Sequence, residues 1–277
     1  MKRLMGRAVA YVTLALIAII ALAPFAYLLI LSFKKRIEIS SVVPPTLSFE
    51  WSTIVRNYTE VIQINGMLTF VGNSIIVVGI ATIVGLILGT PAAYAFSRLR
   101  FKGRDTWAST ILSFRFMPGV AVAIPIFLMI TFIHQQNSYV GLVLPYVAFT
   151  LPLVVWIMIG FFDEVPMEID DAARVDGCGR VQVLLRVMLP NVRSGLIVAA
   201  IFGAIFVWNE FLVALFIINS RGLQTITLGA ATLVSADRPI DWNVAAAVGI
   251  VTVIPIFIFS LFIQRYIVRG ITSGAVR

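Results

Sequence analysis

The residues able to do chemistry are few and far apart. The chain has one histidine, His134, and one cysteine, Cys178. That excludes a metal site built from several histidines, an internal disulfide and any Cys-x-x-Cys site. His134 reads as a residue at a helix end, and Cys178 as a small loop residue. No two carboxylates share an apolar stretch, so no catalytic group and no metal site is assigned. No Gly-x-x-x-x-Gly-Lys-Ser/Thr phosphate loop occurs, since Gly103-Arg104 and the segment 270–274 lack its spacing. Two charges do stand inside strongly apolar runs: Arg115, between Phe114 and Phe116, and Glu210, in Trp208-Asn209-Glu210. A charge in apolar surroundings is costly to hold and marks function by default. Two readings are open for Arg115, Trp208, Asn209 and Glu210. They line a polar solute's path, with carboxylate and amide meeting hydroxyls and a ring stacking on the solute, or they pair across helices and subunits and hold the structure together.

The elements that must position these groups are spans of a membrane. Of 277 residues, 60% are hydrophobic, and the mean hydropathy is +1.00. Only 12% are charged, where a soluble domain carries roughly 25%. A soluble fold cannot hide that much apolar surface, so lipid is the solvent for most of the chain. A span needs roughly 20 apolar residues. Six stretches qualify, at about 8–33, 68–96, 106–133, 139–162, 194–218 and 243–266. The expectation is an all-α integral membrane protein of about six transmembrane helices, organised as a single domain over residues 1–277. The apolar run behind Met1-Lys2-Arg3 is too long for a cleaved signal core of roughly 7–15 residues, so it is read as an uncleaved first span. Gly85, Gly89, Pro91, Pro125, Pro152 and Pro255 fall in the spans; membrane helices tolerate them, and small residues let helices approach.

Lysine and arginine in the loops set the orientation. With the N-terminus inside, fourteen basic residues fall on the inner side and six on the outer, which predicts both termini in the cytoplasm. The net charge of +8 is then a property of inner loops, and no nucleic-acid partner is implied. Lys34, Lys35 and Arg36 run against the bias, just outside the first span. Two outer loops follow, at about 34–67 and 219–242. Asn57-Tyr58-Thr59 has the form of a glycosylation sequon, to which little weight is given because chance matches to so short a pattern are common. No internal repeat or low-complexity tract is evident.

The inner loop at about 163–193 differs from the rest. Six of the thirteen acids lie in it, including Glu168, Asp170, Asp171 and Asp176. Pro166 suits a first helical position, and the acids that follow suit the first turns, where the helix dipole favours negative charge. Ala172 and Ala173 are strong helix formers, and Gly177 can take a left-handed cap. A second amphipathic stretch, 181–189, ends at Pro190. A short capped helix standing off a membrane domain predicts a docking element for a soluble partner.

This segment resembles the coupling loop of ABC importer permeases, Glu-Ala-Ala, three residues, Gly, nine residues, Ile-x-Leu-Pro. Here it reads Asp171-Ala172-Ala173, then Gly177, then Val187-Met188-Leu189-Pro190. Further segments are similar to the smaller permease of maltose-type carbohydrate importers: Asn73-Ser74, 91–98, Phe101-Lys102-Gly103-Arg104, Trp208-Asn209-Glu210-Phe211 and the tail 264–277. The resemblance covers about residues 5–277. It implies the type I importer permease fold in a bacterial inner membrane, and a transporter subunit with no ATPase site of its own. It implies that Glu168, Asp171, Ala172, Ala173, Asp176, Gly177, Leu189 and Pro190 meet an ATPase pair, which alone binds ATP and magnesium. The other implied partners are a second, related permease forming a heterodimer, an extracytoplasmic solute-binding protein and membrane lipid. The tail, through Gly270, Thr272 and Gly274, is expected to touch the ATPase pair as well. The expected cargo is a sugar or polyol, with glycerol phosphate as an alternative. A secondary transporter would show inverted repeats and interrupted midplane helices, neither of which the sequence displays, and a membrane enzyme lacks a catalytic constellation.

Overall fold

The computed structural model describes residues 2–41, 47–64, 66–234 and 241–274, and none of these forms a strand. Among the described residues, four helices are long and apolar enough to cross a membrane: α1 (Lys2–Ser32), α4 (Met67–Arg98), α7 (Tyr139–Asp163) and the last, α13 (Trp242–Gly274). Short helices α2 (Arg36–Ser41) and α3 (Trp51–Thr59) lie between the first two. Two further apolar stretches are bent pairs. Helix α5 (Arg104–Ser113) with the turn Phe114–Phe116 meets α6 (Gly119–Phe132) at 97°. Helix α9 (Arg180–Asn191) meets α10 (Arg193–Trp208) at 81°. Counting each pair as one span gives six. Helix α8 (Met167–Val175) sits between α7 and α9, and α11 (Leu212–Ile217) and α12 (Ile226–Val234) follow α10.

Three expectations need correction. The stretch 106–133 is not one helix. Met117 is extended, at φ −66° and ψ 133°, because a residue before proline is pushed out of the helical region, and Pro118 offers no N–H. The stretch 194–218 also breaks: α10 stops at Trp208, Phe211 lies at φ −129° and ψ −41°, and the helix resumes at Leu212. Interrupted helices are therefore present although hydropathy did not reveal them, since a window of about 19 residues averages over a gap of two or three. Finally, Pro190 does not end its helix. Residues Val183–Met188 form a π-helical turn, in which Leu189 N–H reaches back to the Leu184 carbonyl. The wider turn accommodates a residue without an N–H, and the helix runs on to Asn191.

The chain divides into two compact units. The first comprises Met1–Leu68 and Gly229–Ile254. Here the basic cluster at 34–36 serves as a set of ties. Lys34, almost fully buried, pairs with Glu38 at 3.4 Å and donates to the Ser48 carbonyl. Lys35 pairs with Glu50, whose acidity that contact increases, and Arg36 pairs with Asp241 at 2.7 Å. Asn57, in the sequon, is wholly buried. Its amide donates to the carbonyls of Ser32 and Lys34 at 2.9 and 3.0 Å, so it satisfies the end of α1 rather than facing solvent. Asn243 donates in turn to the Asn57 side-chain oxygen at 3.1 Å.

The second unit comprises Thr69–Leu228 and Pro255–Arg277. Helices α4, α7 and α10 meet through small residues. A Cβ on Gly85 or on Gly203 would lie 3.0 Å from the Thr150 methyl, one on Gly89 2.7 Å from Val154, and one on Gly195 2.5 Å from the Phe161 ring. A larger side chain at any of these places would require the facing side chain to give way. One apolar cluster then runs from Ala93, Val154, Met158 and Phe162 into Ala173, Val183, Leu184 and Met188. The helices of the loop at 163–193 are therefore packed against the ends of spans, not suspended from them. Gly195→Ala should destabilise the purified chain by ~1–3 kcal/mol through overpacking, read as a lower melting temperature in detergent. Gly160→Ala, where a Cβ meets nothing within 4 Å, should leave it unchanged.

Candidate functional site

Helix α8 is short, and its ends explain its sequence. Pro166 precedes it as N-cap, one place earlier than expected, with Glu168 and Asp170 in the first turn. At the other end Gly177 has φ +84°. Gly177 N–H reaches the Arg174 carbonyl and Cys178 N–H the Ala173 carbonyl, both at 3.0 Å. This is the Schellman arrangement, which needs a left-handed residue at that place. The distance from Asp171-Ala172-Ala173 to Gly177 is thus the distance from the middle of the helix to its stop. Glu168, Asp171, Ala172, Asp176, Gly177 and Pro190 are exposed, while Ala173 is buried and Leu189 half-buried. Val175 and Val181 add exposed apolar surface, 88% and 68% accessible. The result is an exposed face that mixes the acids Glu168, Asp171 and Asp176 with apolar Val175, on a helix anchored from behind.

That anchor joins three segments. Tyr94 and Arg98, one turn apart on α4, both reach Asp170. The tyrosine hydroxyl donates to Asp170 Oδ1 at 2.7 Å, and Arg98 Nε lies 3.0 Å from Oδ2. Arg98 Nη2 also donates to the carbonyls of Phe162 and Val165 at 2.6 and 2.5 Å. Ser97 donates to Asp163 at 2.5 Å. Both charged partners are buried, Arg98 8% and Asp170 2% exposed. Sequence reasoning gave Asp170 only a dipole role, and Arg98 a place among the inner-loop cations and at the end of the similar segment 91–98, with no contact between them. The available signal was the spacing of Tyr94 and Arg98, which puts a hydroxyl and a guanidinium on one helix face.

A cavity of about 940 Å³ opens where the two breaks of this unit meet. Phe114, Phe149, Phe202, Phe206 and Phe211 line it, with Arg115, Asn209 and Glu210 as its polar groups. The Arg115 guanidinium lies 3.8 Å from the centre of the Phe206 ring, a cation–π contact. The Glu210 carboxylate is taken up by the protein. It accepts from the Tyr146 hydroxyl at 2.7 Å and from the amides of Val213 and Ala214 at 3.0 and 3.4 Å. It therefore caps α11 and supplies the acceptor that the break in the helix removes. Asn209 donates to the Ile205 carbonyl at 2.7 Å. Trp208 is buried, its ring 6.3 Å from that of Phe259, and it does not line the cavity. The four residues grouped in the sequence thus divide: three face the cavity and Trp208 faces the core.

At the end of the unit remote from α8, polar side chains pin the segment 218–226. Asn73 donates to the carbonyls of Gly222 and Gln224, both at 2.9 Å, and accepts from Tyr139 at 2.7 Å. Ser74 accepts from Ile226 N–H at 2.8 Å. His134 lies at a helix end, at φ 55°. Gly270, Thr272 and Gly274 belong to the helical backbone of α13, while residues 275–277 lie outside the described residues.

Comparison with known proteins agrees with this architecture. Residues 81–273 match the family described as binding-protein-dependent transport system inner membrane component. The inner membrane ABC transporter permease protein YcjP of Escherichia coli is 33% identical, over all of this chain and 98% of its own length. The trehalose/maltose transport system permease protein MalG of Thermococcus litoralis is 31% identical, over 95% and 94%. The trehalose transport system permease protein SugB of Mycobacterium tuberculosis is 32% identical, over 93% of each. A chain of a bacterial ABC transporter involved in the import of the acidic polysaccharide alginate shares the fold, with a TM-score of 0.79, 22% identity, and 95% and 96% of the two chains covered. With its spans, its capped loop helix and these relatives, the chain belongs to the binding-protein-dependent inner membrane component family of ABC transporter permeases.

Proposed function

We propose that the chain forms half of the membrane pathway for a sugar or related polyol, driven by ATP hydrolysis in a separate ATPase pair. A second, related permease supplies the other half, and an extracytoplasmic solute-binding protein delivers the cargo. The chain crosses a bacterial inner membrane, surrounded by lipid, with both termini in the cytoplasm. It holds no cofactor; ATP and magnesium belong to the ATPase subunits. Two of its relatives are named for trehalose or maltose transport, which supports a carbohydrate as cargo. The cavity's mixture of aromatic rings with Arg115 and Asn209 suits a solute that offers both hydroxyls and apolar ring faces.

The observation that carries this reading is helix α8, stopped by Gly177 and presenting Asp171, Ala172 and Val175 outward. In the proposed cycle a loaded binding protein docks outside, and ATP binding closes the ATPase pair. The pair carries α8 with it, and the membrane helices move as rigid levers to open the pathway outward. Hydrolysis resets them. Glu168, Asp176, Leu189 and Pro190 complete the docking surface, and Gly270, Thr272 and Gly274 provide a second contact.

Replacing Gly177 tests the docking. A β-branched residue at φ +84° costs ~1–2 kcal/mol, so Gly177→Val should weaken co-purification of the ATPase subunits about tenfold; full retention would contradict the reading. Removing residues 270–277 should lower ATP hydrolysis by the assembled complex, and an unchanged rate would remove the tail from the contact. Glu210→Ala should cost ~1.5–3 kcal/mol by leaving three donors unpaired, read as a lower melting temperature with solute preference unchanged. An altered preference at normal stability would instead place that carboxylate on the solute path.

A further inference from the structure

The Arg98–Asp170 pair is an odd way to gain stability. Both partners are almost dry, with side chains 4% and 3% exposed. Burying two charges costs most of what their attraction returns, and apolar side chains of similar volume often do as well. What such a pair supplies is direction. Both oxygens of one carboxylate on α8 are held by two side chains one turn apart on α4, Tyr94 and Arg98. The same guanidinium holds the Phe162 and Val165 carbonyls, at the end of α7 and in the connection to α8. Helix α8 cannot rotate or slide without breaking the hydrogen bond from Tyr94 and parting the Arg98–Asp170 ion pair, in a buried site where an unpaired charge is most costly.

The neighbouring acid does the opposite. Successive helical residues point about 100° apart, so Asp170 faces inward, 2% exposed, while Asp171 faces out. At the other end of the same α4, Asn73 and Ser74 hold the segment from Gly222 to Ile226. These two anchor points are separated by ~30–38 Å of one helix, at 1.5 Å per residue, with Pro91 inside it.

We propose that Tyr94, Arg98 and Asp170 act as positioning residues that weld the coupling helix to α4, so that a displacement of α8 is delivered as motion of α4 to the far side of the unit. The proposal rests on the reading that α8 docks on an ATPase. It assigns the three residues to the transmission of force and gives them no part in binding either the ATPase or the solute.

The test uses the complete transporter in proteoliposomes: this chain, the second permease, the ATPase pair and the binding protein. The variant Tyr94→Phe/Arg98→Met/Asp170→Leu replaces the polar cluster with apolar groups of similar size. The measurements are ATPase retention on purification, ATP hydrolysis with loaded binding protein, and solute uptake. Retention should be unchanged and hydrolysis should persist, while uptake per ATP hydrolysed should fall about tenfold or more, within the range of ordinary coupling energies. Uptake per ATP equal to wild type overturns the proposal, as does a loss of uptake only in proportion to hydrolysis. Arg98→Lys provides a second test that does not depend on the apolar variant folding. Lysine keeps the charge but cannot hold Asp170 and two carbonyls in one planar fork, so uptake per ATP should fall several-fold with the melting temperature preserved. An unchanged ratio there overturns the proposal too. A wild-type chain that retains no ATPase overturns the docking reading beneath it, a result distinct from either.

Discussion

A backbone N–H or C=O left unbonded in apolar surroundings costs several kcal/mol, and much of this structure answers to that constraint. At several helix ends a side chain takes over the hydrogen bonds that the helix leaves unmade. Glu210 accepts from the amides at the start of α11. Asn57 serves the carbonyls at the end of α1, and Arg98 those at the end of α7. Asn137 accepts from the amides of Asn219 and Ser220 at 3.1 and 2.9 Å. In a chain with only 12% charged residues, these polar groups gather where the helices are interrupted.

The interruptions are also where the unit holds open space. Backbone that is not helical is tolerated at membrane depth when it is buried in protein or lines a cavity. The breaks at Met117–Pro118 and Asn209–Phe211 contribute to one cavity. Glu210 is one of the two charges in that cavity, yet its carboxylate already holds the chain in shape. Arg115 is instead seated on an aromatic face, the Phe206 ring. Shape and chemistry are thus divided between two residues that looked alike in the sequence.

What could be read in advance follows the range of the interactions. The stop at Gly177 was legible because a Schellman cap is local: the helix former, the spacing and the glycine all lie within seven residues, 171–177. The span count was legible because hydropathy accumulates over long windows. The break at Pro118 was equally local, but averaging concealed it. The π turn that carries a helix past Pro190 depends on how Val183, Leu184 and Met188 pack in the core, and no local rule announces it. The union of Tyr94 with Asp170 joins residues 76 apart, so it depended on knowing which helix ends meet. The basic cluster at 34–36 looked like a topological exception and is a set of ion pairs, since its partners Glu50 and Asp241 lie in other segments.

The central claim is that this chain is a passive half-pathway, moved by a partner through α8. Uptake of labelled disaccharide into liposomes tests it most directly, comparing the purified chain alone with the full set of permeases, ATPase subunits and binding protein. The account predicts no uptake by the chain alone, with or without an ion gradient, and uptake by the full set only when ATP is present on the side that carries α8. Accumulation by the chain alone under an ion gradient would contradict it.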